Sequence, residues 1–383
     1  MGGRDARVSP GGHRARGGVP AVVDGAGGRR HPGAGLGVGN NTEGQLGDGT
    51  LTPRSVPAEV LGLSGVQAVA AGSTHSLALR GDGTVWAWGD NWTGQLGDGT
   101  YTNRSRPVRV RGLSGVKAVA AGAVHSLALR GDGTVWAWGY NANGQLGDGT
   151  IIGDRVTPVR VVGLSGVRAI AAGFYNGFAL LTDGTVWAWG AGPCGELGDG
   201  GTFSQNRPVR SFRNLRVKAV AAGANHTLAL LPNGTVRAVG CNAFGQLGDG
   251  TSENIRVSPV RVAGLGGVQA VAAGNVHSLA LRGDGTVHAW GNNELGQLGD
   301  GTVTNRLAPV PVPGLAGVAA IAAGANHNLA ALGDGTVRGW GNNGHGQLGD
   351  GAVNIVQPAP VTALRLAGVK GVAGGWFHSL ART

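Results

Sequence analysis

Apolar residues along this chain come in short stretches, and the stretches come in sets of four. Val66–Ala71 reads VQAVAA and stops at Gly72, Ser76–Arg80 continues as SLALR, and Val85–Trp88 reads VWAW. Runs of this length bounded by Gly and Asp are strand-sized and too short for helices. Asp82-Gly83, between the second and third runs, is a two-residue hairpin signal. A period of two puts Trp86 and Trp88 on one sheet face. After a Gly-rich loop, Pro107–Arg111 supplies a fourth strand. Its Pro and Arg suit an outer edge, where a missing N–H is harmless and charge discourages edge pairing.

The set repeats. GQLGDGT stands at 44–50, 94–100, 144–150, 245–251 and 296–302, with GELGDGG at 195–201 and GQLGDGA at 346–352, so seven copies step by 50 or 51 residues. Four-stranded antiparallel units at this period, arranged radially, make a β-propeller. The expected fold is therefore all-β: seven blades, with units near 66–111, 116–162, 167–212, 217–263, 268–313, 318–364, and 369–383 plus 34–61. Strands one and two of the last unit fall at the C-terminal end (369–374 and 378–381), and strands three and four near 34–39 and 57–61, so both ends share the closing blade. The first strand of each unit is rich in Ala and Gly, as strands crowded near an axis must be.

The run GLSGVQAVAAGSTHSLALRGDGTVWAWGDNWTGQLGDGT at 62–100, with its copies, resembles the regulator-of-chromosome-condensation repeat. The resemblance implies a seven-bladed propeller. For function it implies either of two precedents. Eukaryotic members act as guanine-nucleotide exchange factors on the small GTPase Ran, through one propeller face and a protruding β-wedge. The even spacing here leaves no insertion for such a wedge. Bacterial propellers with similar but shorter repeats inhibit β-lactamases through aromatic loops on one face, which would make this chain an inhibitor of, or accessory to, an extracellular enzyme.

Composition alters this picture little. The 77 glycines follow no three-residue step, which excludes collagen, and 41% hydrophobic against 14% charged residues excludes a disordered polyelectrolyte. Gly, Arg or Asp interrupts every apolar stretch well short of a membrane-spanning helix. Of the net charge of +10, residues 1–38 supply four (six Arg, two Asp), so the repeats carry +6. Residues 1–30 match nothing, and HPGAGLGVG at 31–39 fills the slot of GDGTVWAWG. A neighbouring reading frame or a disordered Arg/Gly tail accounts for this head, and the first would leave blade seven damaged. No apolar signal-peptide core stands at the N-terminus, and localisation is left open.

Strand directions alternate, so the turn after strand one and the loop after strand three share a face, while the Asp-Gly hairpins share the other. Variation concentrates on the first face. There fall Trp92, Tyr101, Tyr140, Phe174, Tyr175, Phe203, Phe244, Trp376 and Phe377, whereas Phe178 and Phe212 are expected in strands. Large aromatics among Asn, Thr and Gly make a protein-binding surface, and these nine are the expected contact residues.

The other recurrent residues read as structural. His75, His125, His226, His277, His327 and His378 open strand two, with Asn176 in their place once, which suits a hydrogen bond from side chain to backbone. Asp98, Asp148 and their GDG copies precede Arg54, Arg104, Arg155, Arg207, Arg256 or Arg306, an expected ion pair in each loop. One carboxylate per loop is too few for calcium, and nothing supplies a nucleophile with its base. His345 and Glu294 are off-pattern on the variable face, and Arg109, Arg111, Arg160, Arg210 and Arg261 form a basic outer rim that protects the edge. Cys194 and Cys241 lie on neighbouring loops of one face, and their pairing is left open. The expectation is a non-catalytic, monomeric scaffold without metal or cofactor, whose partner is a protein and neither nucleic acid nor membrane.

Overall fold

The computed structural model describes residues 33–253 and 255–383, so the unmatched head at 1–30 lies outside the described residues. Each repeat folds as one antiparallel sheet. Among the described residues twenty-eight strands, β1 to β28 in chain order, form seven four-stranded sheets around an axis, and the fold is the seven-bladed propeller that the repeats predict. Blade one, from axis to rim, is β3 (Val66–Ala71), β4 (His75–Arg80), β5 (Val85–Gly89) and β6 (Arg104–Arg109). Five more blades repeat it.

Blade seven is shared by both ends, as expected. β27 (Gly371–Gly374) pairs with β28 (His378–Arg382), β28 pairs with β1 (Gly35–Gly39), and β1 pairs with β2 (Arg54–Glu59). The β1–β28 ladder runs without a break from Gly35↔Arg382 to Gly39↔His378. The fourth strand starts earlier than its sequence suggests, at Arg104 and not Pro107. A bulge explains the difference: Ala87 faces Val108 but Gly89 already faces Arg104, so Pro107 sits in the bulge, where its missing N–H breaks no ladder.

The core lies between blades. Leu96 and Val110 of blade one pack with Trp138 of blade two, and the same cluster recurs around most of the ring. Trp88, Trp138, Trp189, Trp290 and Trp340 are fully buried, and each indole donates from Nε1 to the carbonyl of the Gln in the preceding heptad, at 2.8 Å for Trp88 to Gln45. Ser76, Ser126 and Ser278 donate a hydroxyl to the same carbonyls, and Ser379 donates to the equivalent carbonyl of Gln347. Two junctions differ. Blade four has Val239 in the indole position, and Phe212 fills the gap, one residue beyond its strand and not within it, at φ 44°. Blade seven has Val38 there with only Ala363 opposite, which leaves an apolar cavity of about 20 Å³.

Candidate interaction surface

The repeated histidines fasten blades to one another. His378 Nε2 lies 3.0 Å from Ser76 Oγ, and the same link joins His75 to Ser126, His226 to Ser278, His277 to Asn328 and His327 to Ser379. Because each Ser hydroxyl donates onward to a Gln carbonyl, the imidazole must supply the proton from Nε2. The expected bond to the local backbone is thus a bond to the next blade. In blade three Gly177 replaces the hydroxyl residue and interrupts the relay at His125. Burial holds these imidazoles neutral, with pKa values lowered to about 3 for His75, His226, His327 and His378 and about 4 for His125 and His277. The glycine before each turn follows from this ring: a Cβ on Gly72 would lie 2.2 Å from His75 Cε1.

The GDG aspartates hold the long loops. Asp98 accepts from Thr100 N (2.9 Å), Thr100 Oγ1 (2.6 Å) and Arg104 Nη2 (2.7 Å). Burial alone would raise its pKa, but those hydrogen bonds outweigh burial and keep the carboxyl below the ordinary range. Asp148 is held in the same way by Thr150 and Arg155. Arg54, Arg256 and Arg306 pair with Asp48, Asp249 and Asp300 as expected. Arg207 does not: Gln205 takes the partner position in blade three and reaches Asp199 at 3.4 Å.

Blade three departs at other points too. Glu196 stands where the other heptads have Gln, accepts the Cys194 N–H at 2.8 Å, and is pushed by burial up to about 7. Cys194, in the loop of blade three, and Cys241, at the end of the third strand of blade four, form a disulfide, a pairing left open by the sequence.

Held this way, the variable loops bring part of the aromatic set together. Tyr140 meets Tyr175 with ring centroids 6.1 Å apart, Tyr175 meets Phe174 edge-on at 4.7 Å, and Phe174 meets Trp376 at 5.0 Å. Trp376 continues to Phe377, and Phe377 to His345 at 4.9 Å. Phe174 and Trp376 come from blades three and seven and meet over a cavity on the axis, about 120 Å³, lined by the Ala and Gly ends of the first strands. The arc is therefore continuous from blade two to blade six across the centre of the disk. Its rings are half-buried, each supported by the next.

The remaining candidates are not gathered. Trp92, Tyr101 and Phe203 stand out on separate loop tips, and Phe244 sits half-buried in its own loop. Attention to aromatics alone hides a wider pattern. The loop ahead of strand four carries an exposed apolar residue in six blades: Leu51, Tyr101, Ile152, Phe203, Val303 and Val353. Blade four has Ser252 in that place. A position-by-position comparison of the repeats would have found this ring.

The architecture defines a class: a rigid propeller of fifty-residue repeats that presents one variable loop face. The chain belongs to the RCC1 family. The RCC1-like domain model matches residues 152–381, and the regulator of chromosome condensation (RCC1) repeat matches 35–79 and 82–129. Human WBSCR16 has a similar structure (TM-score 0.83, 26% identity, over 92% of this chain and 99% of that one). So does Prp20p of Saccharomyces cerevisiae, described with its binding to Gsp1p and histones (TM-score 0.82, 25% identity, over 94% of this chain and 92% of that one). Among curated proteins, the E3 ubiquitin-protein ligase HERC2 of mouse is 34% identical over 158 residues, 39% of this chain, and the match spans only 3% of that much longer protein.

Proposed function

We propose that this chain is a non-catalytic protein-binding module that holds its partner on the variable loop face. The observation that carries the reading is the aromatic arc from Tyr140 to Phe377, in which Tyr140 stands on the loop held by Asp148 and Arg155 and the other rings stand on the turns after the first strands of blades three and seven. Rigid aromatics lose little conformational entropy on binding, so a surface of this kind anchors a partner at low cost. Trp92, Tyr101, Phe203 and Phe244 flank the arc as secondary contacts. A photo-crosslinking residue at Trp92 should capture a partner that the same residue at Ser114, on the opposite face, does not. Capture that survives Tyr140→Ala, Phe174→Ala and Trp376→Ala together would overturn this reading.

A second reading, nucleotide exchange on a small GTPase, draws on the likeness to Prp20p, which was described with its binding to Gsp1p. Against it, the seven sheets account for every strand among the described residues, and none is left over to serve as a wedge. Release of a fluorescent guanine nucleotide from Gsp1p separates the two: acceleration by this chain favours exchange, and an unchanged rate favours pure binding.

A further inference from the structure

The net charge of +10 suggests an acidic partner, but the charges are not evenly spread. Between the third and fourth strands, the seven loops hold thirteen acidic residues: the seven GDG aspartates with Glu43, Asp90, Asp154, Glu196, Glu253 and Glu294. Those loops contain no Lys or Arg, and neither do the turns after the first strands. Five arginines at the head of strand four neutralise five of the aspartates. Beyond residue 38, the other twenty basic residues share the rest of the propeller with only six acids.

Distance decides which charge a docking partner feels. A blade strand of six residues separates the faces by roughly 20 Å, about twice the Debye length of roughly 8 Å at physiological salt. The basic residues of the far face are therefore screened from anything seated on the loops, whereas the rim arginines Arg106, Arg111 and Arg207, which lie beside Gly49, Gly99 and Gly149 of the loops, are not. From these observations we infer that the loop face docks a protein whose contact surface is cationic, with apolar side chains seated on the aromatic arc and the ring of loop tips. This rests on the protein-binding reading and adds the chemistry of the partner. The apolar tips provide contact area, and the unpaired carboxylates steer approach and reject anionic proteins.

The probe is a phage-displayed library of random twelve-residue peptides, panned on the intact chain. Four substitutions remove charge with little change of shape: Glu43→Gln, Asp90→Asn, Asp154→Asn and Glu294→Gln. Other repeats already carry Asn at the second and third of these places (Asn40 and Asn292, Asn103 and Asn305), so the variant should melt with the parent. Selected peptides should be rich in Lys and Arg alongside aromatic or aliphatic residues. They should bind the fourfold variant about tenfold more weakly, and lose binding to Phe174→Ala/Trp376→Ala. Neutral or acidic peptides that still need Phe174 and Trp376 would overturn the cationic inference and leave the protein-binding face standing. Cationic peptides indifferent to both sets of changes dock elsewhere and would overturn both. Enrichment of no sequence counts against the inference as well.

Discussion

Six buried imidazoles make this molecule sensitive to acid through a single kind of residue. Their folded pKa values of about 3 to 4 lie below the ordinary 6.5, first because burial removes the charged form from water. Between those values the unfolded chain binds protons that the native ring refuses. Stability is therefore complete above pH 6.5 and falls as the pH drops toward 4, each histidine contributing up to about 1.4 kcal/mol per pH unit. Glu196, raised to about 7, and Asp154, also raised by burial, work in the opposite sense and favour the fold as the pH falls, but they are two groups against six. The urea midpoint should fall steeply from pH 7 to pH 4.5, a window that lies above the depressed aspartates. His277→Asn, which copies the Asn176 of blade three, should flatten the slope by about one proton's share. A midpoint that stays level over that window would refute the account. In the sequence the recurrence of these histidines could be read, but their partners could not, because four of the bonds cross to a residue some fifty positions away and the fifth, His378 to Ser76, spans 302, so only the ring geometry brings each pair together.

At the scale of the blade, sequence and structure agree where the signal is local. Asp82-Gly83 turns, alternating VWAW and the GQLGDGT loops all declare themselves within a few residues. The start of strand four is less visible, because the bulge at Pro107 depends on a partner strand. Compensation between blades is the least visible of all. Val239 looks like the loss of a core tryptophan, and Phe212 like a stray aromatic, until the two are found in one cluster with Leu197. Phe212 thus stands in for the missing indole. Phe212→Val should open a void and cost about 2 kcal/mol. Adding Val239→Trp puts an indole into the space that Phe212 fills and should recover most of the loss, a coupling of about 1–2 kcal/mol. Denaturant unfolding of the two single variants and the double variant measures it. If the double variant is simply the sum of the singles, the two side chains do not share the role assigned to them.

For the molecule as a whole, the ring must open at its weakest junction, and the chain indicates where. Every other blade is one continuous segment, but blade seven depends on the ladder between β1 and β28, which joins residues near opposite ends of the chain. There β1 reads GLGVG, and three glycines in five residues give the strand little to pack. Val38 makes no indole bond to the Gln347 carbonyl, and the cavity of about 20 Å³ lies beside it. The disulfide clamps blades three and four, on another part of the ring, and does nothing for this seam. Local opening should therefore begin at the seam while the remaining six blades stay closed. In hydrogen exchange, the amides of Leu36 to Gly39 and of His378 to Arg382 should exchange at least about tenfold faster than their equivalents in β5 and β4 of blade one. Both stretches should exchange together, since each is the other's ladder partner. Equal protection in the two blades would mean that the ladder alone holds the ring as firmly as the indoles do at five other junctions, and that the glycine-rich strand is no weak point.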